Sequence, residues 1–137
     1  MNSHTVLAIA GISGALCVAL GAMGAHALKE KISADNIQIF ETAVRYHFYH
    51  TLALVFISYL IKNDSSKFLK LSAWFFIAGI ILFSCSLYFL ALRPLMGISK
   101  DEMKGIGAIT PFGGMSFILA WLMLTVATLK SKKKLNT

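Results

Sequence analysis

Acidic side chains are scarce in this sequence. Six Asp and Glu stand against thirteen Lys and Arg, and charged residues make up only 14% of the 137 positions. With 57% hydrophobic residues and a mean hydropathy of +0.71, that shortage excludes a soluble domain. Cysteine is nearly absent: Cys17 and Cys85 each fall inside an apolar run. No CxxC or Cys/His ligand spacing accompanies them, so both read as small buried hydrophobes. No HExxH, nucleophile elbow or pair of catalytic carboxylates occurs, so no enzyme and no catalytic residue is predicted. Residues 1–4 carry no Lys or Arg, and the apolar run after them is too long for a signal peptide. Ala25-His26-Ala27 only mimics a cleavage site. Leu16 is too large to precede a lipoprotein cysteine at Cys17.

What the chain does have is four apolar stretches, at about 5–28, 40–61, 68–92 and 108–129. Each is long enough for a helix of about 20 residues to cross a hydrocarbon core of roughly 30 Å. None alternates as a barrel strand does, and helices are the other structure that satisfies its backbone in lipid. The expected fold is all-α: a four-transmembrane-helix bundle filling residues 1–137 as a single integral membrane domain. Its helices lie near 5–28, 36–61, 68–92 and 108–129, with both termini on the same side.

The excess of positive charge is membrane-flanking rather than nucleic-acid binding, because the Lys residues sit just outside the apolar runs. The tail Lys130-Ser131-Lys132-Lys133-Lys134 suits anionic headgroups, so membrane lipid is an expected partner. Lys62, Lys67, Lys70 and the tail outnumber the basic residues of the other side, which places both termini in the cytoplasm. Ala10/Gly14, Ala15/Ala19 and Gly21/Ala25 are four apart on the first helix. Such small-residue faces suit close packing, within the chain or in a homo-oligomer. Ser33 or Asp35 is placed to cap the second helix. Pro111 is expected in the first turn of the fourth helix, where its missing N–H costs nothing, and Gly113-Gly114 allows close packing after it.

Polar residues gather near one end of the expected spans. Counting back from Lys62 at about 1.5 Å per residue puts Arg45 just inside the far boundary and His50 about 17 Å from the near one. Ser84 and Ser86 fall at about the depth of His50, with Tyr88 above them and Thr110 opening the fourth helix. His26 ends the first. Glu41, Arg45 and Tyr49 share a helical face, continued by Thr42 and Tyr46, and Glu41 is correctly spaced to pair with Arg45. The expected cluster is His26, Glu41, Arg45, Tyr46, His50, Ser84, Ser86, Tyr88 and Thr110, facing the bundle interior as intramembrane polar groups usually do. His47 points nearly opposite Arg45 and is left out. No metal or cofactor is expected, since one His47-x-x-His50 pair is a thin ligand set. A proton or solute path is the alternative to a binding or structural module. Against it, the other halves of the helices offer only Ser58 and Ser72 as polar groups.

These residues also resemble a family. Gly24-Ala25-His26-Ala27-Leu28, Phe40-Glu41-Thr42-Ala43-Val44-Arg45-Tyr46 with Tyr49-His50, Ser84 and Ser86-Leu87-Tyr88, and Gly107-Ala108-Ile109-Thr110-Pro111 with Gly113-Gly114 are similar to successive signatures of one group. It is domain of unknown function 423, also uncharacterised protein family 0382. The resemblance spans about Val6 to Leu129 and implies a small four-helix protein of the bacterial plasma membrane, without assigning it a function. His47 stands where the pattern has glutamine. Cys85 stands where it has glycine, which argues against very close backbone packing there.

Overall fold

The structure is a computed structural model describing residues 1–64, 66–99 and 101–135, the side chains of 104 and 132–135 excepted. The described residues form helices and short connections, with no strand among them. Helix α1 (Ser3–Met23) starts at Asn2, whose side chain accepts from the Thr5 amide, and runs on as a π-helical turn, Gly24–Leu28. Helix α2 (Ala34–Asn63) has 30 residues. Ser33 is its cap, accepting from the Asn36 amide at 3.3 Å. The third long helix is composite: α3 (Lys67–Gly79), a π-helical segment (Ile80–Cys85), α4 (Ser86–Leu92) and a 3₁₀ turn (Arg93–Met96). Helix α5 (Lys104–Leu135) closes the bundle.

Before α5, the Ser99 amide donates to Glu102 Oε2 at 2.8 Å and the Glu102 amide to Ser99 Oγ at 3.4 Å. This is the reciprocal pattern of a capping box. The bonds from Ser99 hold the Glu102 carboxyl below its ordinary pKa. Because α5 begins at Lys104, Pro111 lies inside the helix rather than in its first turn. Its missing N–H leaves the carbonyl of Gly107 without an intrahelical donor.

The helices run up and down. Along α1 and α2, Gly24 meets Phe40, Gly21 meets Val44 and Gly14 meets Thr51, so the two are antiparallel over most of their length. Phe40 touches Tyr88 and His50 touches Phe76, which sets the third helix antiparallel to α2. Ser72 bonds Ala120 and Ser86 bonds Thr110, which does the same for α5. The start of α1 and the last turns of α5 therefore lie at one end of the bundle. There Val6, Leu54, Ile57, Ile61, Leu69 and Ala127 join one apolar core. A smaller core of Leu28, Ile32, Phe40, Ala43, Tyr88 and Ala91 fills the other end.

The α3–α5 seam is the tighter one. A Cβ on Gly113 would overlap the backbone of Phe83, and one on Gly79 would overlap the ring of Phe117. Very close backbone packing thus occurs two residues from Cys85, contrary to the inference from the missing glycine at 85. The π-helical turn brings the Phe83 backbone out to α5, and Gly113 supplies the space.

By length and apolar composition, three stretches suit a membrane crossing: Ser3–Leu28, Lys67–Met96 and Gly105–Ser131. Helix α2 is as long but carries Asp35, Glu41, Arg45 and Lys62.

Candidate functional site

Helix α2 decides which polar groups meet. Its buried stripe is Phe40, Ala43, His47, His50, Leu54, Ile57 and Ile61, the three-and-four spacing of one helix face. His47 belongs to that stripe. Glu41, Arg45 and Tyr49 lie on the exposed face, so the expected inward-facing charge pair does not form. Arg45 Nη2 donates instead to Thr42 Oγ1 at 3.2 Å, and no Glu41–Arg45 ion pair occurs among the described residues. The reason is geometric: the apolar stripe packs against α1, α3 and α4, and Arg45 projects from the other side. His26 is likewise exposed on the π-helical turn after α1.

The buried site is a hydrogen-bonded chain through His47, a residue left out of the expected cluster. Its Nε2 lies 2.9 Å from Ser13 Oγ and its Nδ1 3.3 Å from Tyr88 Oη. Ser13 Oγ lies 2.6 Å from Thr51 Oγ1. Three helices thus converge on one imidazole that is only 5% exposed. Each link has one proton to share, so the chain is satisfied in either direction: Tyr88 to His47 to Ser13 to Thr51, or the reverse. Ser13 and Thr51 escape notice in the sequence because lone hydroxyls are ordinary in apolar helices. Their signal is register: His47 and Thr51 are four apart on the buried stripe, opposite Ser13.

His50 is built differently. Its Nδ1 lies 2.7 Å from the Tyr46 carbonyl, which only accepts, so Nδ1 carries the proton. In the neutral ring Nε2 is then a lone pair, without a hydrogen-bond partner among the described residues. The ring stacks on Phe117 at 3.5 Å and 6°, with Phe76 and Trp121 beside it. Tyr46 contributes its ring to the same layer against Phe83, at 4.7 Å.

The remaining predicted residues divide between two arrangements. Ser86 Oγ donates its single proton to the Phe83 carbonyl at 2.9 Å, so Thr110 donates to Ser86 at 2.7 Å. Ser84 is fully buried in the π-helical segment, and its Oγ has no partner among the described residues. The nine predicted residues therefore do not form one cluster. They occupy the exterior of the bundle, the ring layer, the α4–α5 contact and, through Tyr88, the His47 chain. Among the described residues no three His, Cys, Asp or Glu side chains converge. Of the lysine tail expected to meet headgroups, Lys130 is exposed and lies over the Phe68 ring at 4.2 Å, and the side chains of 132–134 lie outside the described residues.

A groove opens over the His47 chain between α1 and the third helix. It encloses about 290 Å³, with Ile12, Leu16, Ile77 and Ile81 among its walls and Ser13, His47 and Cys85 also lining it. Inward from His47, the core of Val6, Ala10, Leu54, Ile57 and Phe76 is apolar.

Residues 20–114 match the family described as protein of unknown function, DUF423. The chain is 40% identical over 123 residues to the UPF0382 membrane protein YwdK of Bacillus subtilis, covering 89% of this chain and 94% of that one. It is 40% identical over 122 residues to a UPF0382 membrane protein of Staphylococcus epidermidis, covering 89% and 93%. Identity to the UPF0382 inner membrane protein YgdD of Escherichia coli K12 is 34% over 134 residues, covering 98% and 96%. No solved structure matches the chain. An all-helical bundle with long apolar helices and relatives aligned over nearly its whole length place this chain in the DUF423/UPF0382 family of membrane proteins.

Proposed function

We propose that this protein is a non-enzymatic binding module of the bacterial plasma membrane. All four long helices cross the bilayer, and both termini are cytoplasmic. The pairing of α2 with α1 supports a fourth crossing, because contacts from Gly24–Phe40 through Gly14–Thr51 to the cleft shared by His4, Leu7, Val55 and Tyr59 run α2 beside α1 along most of its length. The ligand is an apolar, membrane-soluble molecule entering sideways from lipid. The observation that carries this reading is the groove over the buried His47 chain, a cleft whose lining is almost wholly hydrocarbon. The apolar core inward from His47 favours a closed site over a conducting path, since a charge crossing it would have no partner.

The test is photo-crosslinking in membranes with a long-chain alcohol bearing a diazirine. Labelling is expected on peptides containing Ile12 and Ile81, and Ile81→Trp, which fills the groove from an exposed position, should remove it. Uniform labelling of every lipid-facing helix would overturn the reading. A proton flux into protein-loaded vesicles above that of empty ones, lost in His47→Ala, would replace it with transport.

A further inference from the structure

A second groove lies on the opposite side of α2 from the His50 ring layer, and the aliphatic stem of Arg45 borders it. It encloses about 270 Å³ between α1 and α2, lined by Val18, Gly21, Val44, Phe48 and Tyr49, with Arg45 among its lining residues. Gly21 keeps the α1 wall low: a Cβ there would meet only Val44 Cγ1, at 3.6 Å. The guanidinium has five N–H donors. Among the described residues its one hydrogen bond goes from Nη2 to Thr42 Oγ1, which passes its own proton to the Gln38 carbonyl at 2.8 Å. Among the described residues the other donors meet no carboxylate, and Glu41, one turn away, does not pair with Arg45.

Depth makes that charge informative. With α2 crossing as proposed above, Arg45 lies about 25 Å from Lys62, which puts it roughly one turn inside a hydrocarbon core of about 30 Å. An unpaired guanidinium on a lipid-facing surface there is costly, and it is relieved by reaching an anion at the boundary. The anion in that plane is the phosphate of a lipid headgroup. Guanidinium binds phosphate through two parallel N–H···O bonds, and an apolar groove beside it accepts the attached acyl chain.

We infer that Arg45 and the α1–α2 groove form a phospholipid site, in which the guanidinium holds the phosphate diester and Val18, Gly21, Phe48 and Tyr49 hold the first methylenes of one chain. The occupant is a whole glycerophospholipid. Free phosphate lacks the chain, and a second copy of this protein would instead offer its carboxylates.

The test is native mass spectrometry of the detergent-purified full chain with added phosphatidylglycerol. The wild type is expected to retain one lipid. Arg45→Ala should lower its occupancy about tenfold and Arg45→Lys less, because an ammonium makes no bidentate contact. Val18→Trp fills the groove from an exposed position with Arg45 intact, and should also lose the lipid while staying helical by circular dichroism. It keeps the test open if Arg45→Ala does not fold. Equal lipid occupancy in the wild type and Val18→Trp would overturn the proposal. So would displacement of the lipid by millimolar inorganic phosphate. A wild-type dimer that Arg45→Ala converts to monomer without changing lipid content would assign the surface to a second copy.

Discussion

His47 and His50 lie on the same buried face of α2, less than one turn apart and almost equally hidden, at 5% and 6% exposed. They are held by different forces. His47 joins α1 to α4 through two side-chain hydrogen bonds. His50 gives its proton to the preceding turn of its own helix and meets α3 and α5 only through rings. One side of α2 is thus a polar joint with an open groove beside it. The other is a close-packed seam where Phe117 lies on Gly79 and the Phe83 backbone lies on Gly113. A buried histidine is informative only once the partners of both ring nitrogens are known.

The largest break in this comparison comes from glycine. Gly113→Ala places a methyl group against the Phe83 backbone, which cannot rotate away as a side chain would. The expected loss is about 3 kcal/mol or more, at the upper end of overpacking costs. Gly14→Ala, on the polar side, meets only the Thr51 methyl at 3.6 Å. It should change stability by less than about 1 kcal/mol, with helix propensity favouring alanine. Thermal unfolding of both variants in detergent checks the pair. Equal losses would mean that the two sides are packed alike.

How much of this could be read from residues alone follows from the same helix. Apolar length and spacing are local properties, and they located the four helices and narrowed the cap of α2 to Ser33 or Asp35, of which Ser33 is the one that bonds. Which face of α2 looks inward is not local. Charge in an apolar segment points to the interior, yet Glu41 and Arg45 lie outside, because the apolar stripe of α2 takes the inward face. The stripe from Phe40 through His47 to Ile61 is visible in the sequence, and following it instead would have put His47 inside. Ser13 and Thr51 needed the α1–α2 register. The start of α5 at Lys104 was hidden because Pro111 reads as a helix start. The Ser99-x-x-Glu102 capping box was the signal that would have moved that boundary back.

The next test exchanges the chemistry of the two histidines. Phenylalanine at 50 keeps a ring on Phe117 and gives up only a bond to its own helix, so His50→Phe should cost under about 1 kcal/mol. Phenylalanine at 47 removes the partner of Tyr88 and one of the two partners of Ser13, an expected loss of about 2–3 kcal/mol. Glutamine should reverse the order. At 47 its amide donates and accepts as the imidazole does, with a loss under about 1 kcal/mol, whereas at 50 it forfeits the stack and costs about 2 kcal/mol. Detergent melting curves of the four variants are the measurement. The same ranking at both positions would show that burial alone, not bonding, distinguishes them.

The smallest effect is also the most specific. Tyr88→Phe leaves the ring against Phe40, at 4.9 Å between centroids, and removes only the hydroxyl that faces His47. The expected loss is about 1 kcal/mol, that of one hydrogen bond with no cavity added. Its sharper readout is the imidazole nitrogen spectrum. In the wild type His50 is fixed as the Nδ1–H form by the Tyr46 carbonyl, while His47 takes its proton from a chain that runs in either direction. Removing the Tyr88 hydroxyl unties one end of that chain, so the His47 resonances should move and those of His50 should stay. Movement of both would show that the ring layer and the polar joint are coupled through α2, and the contrast between the two sides would then be one of partners only.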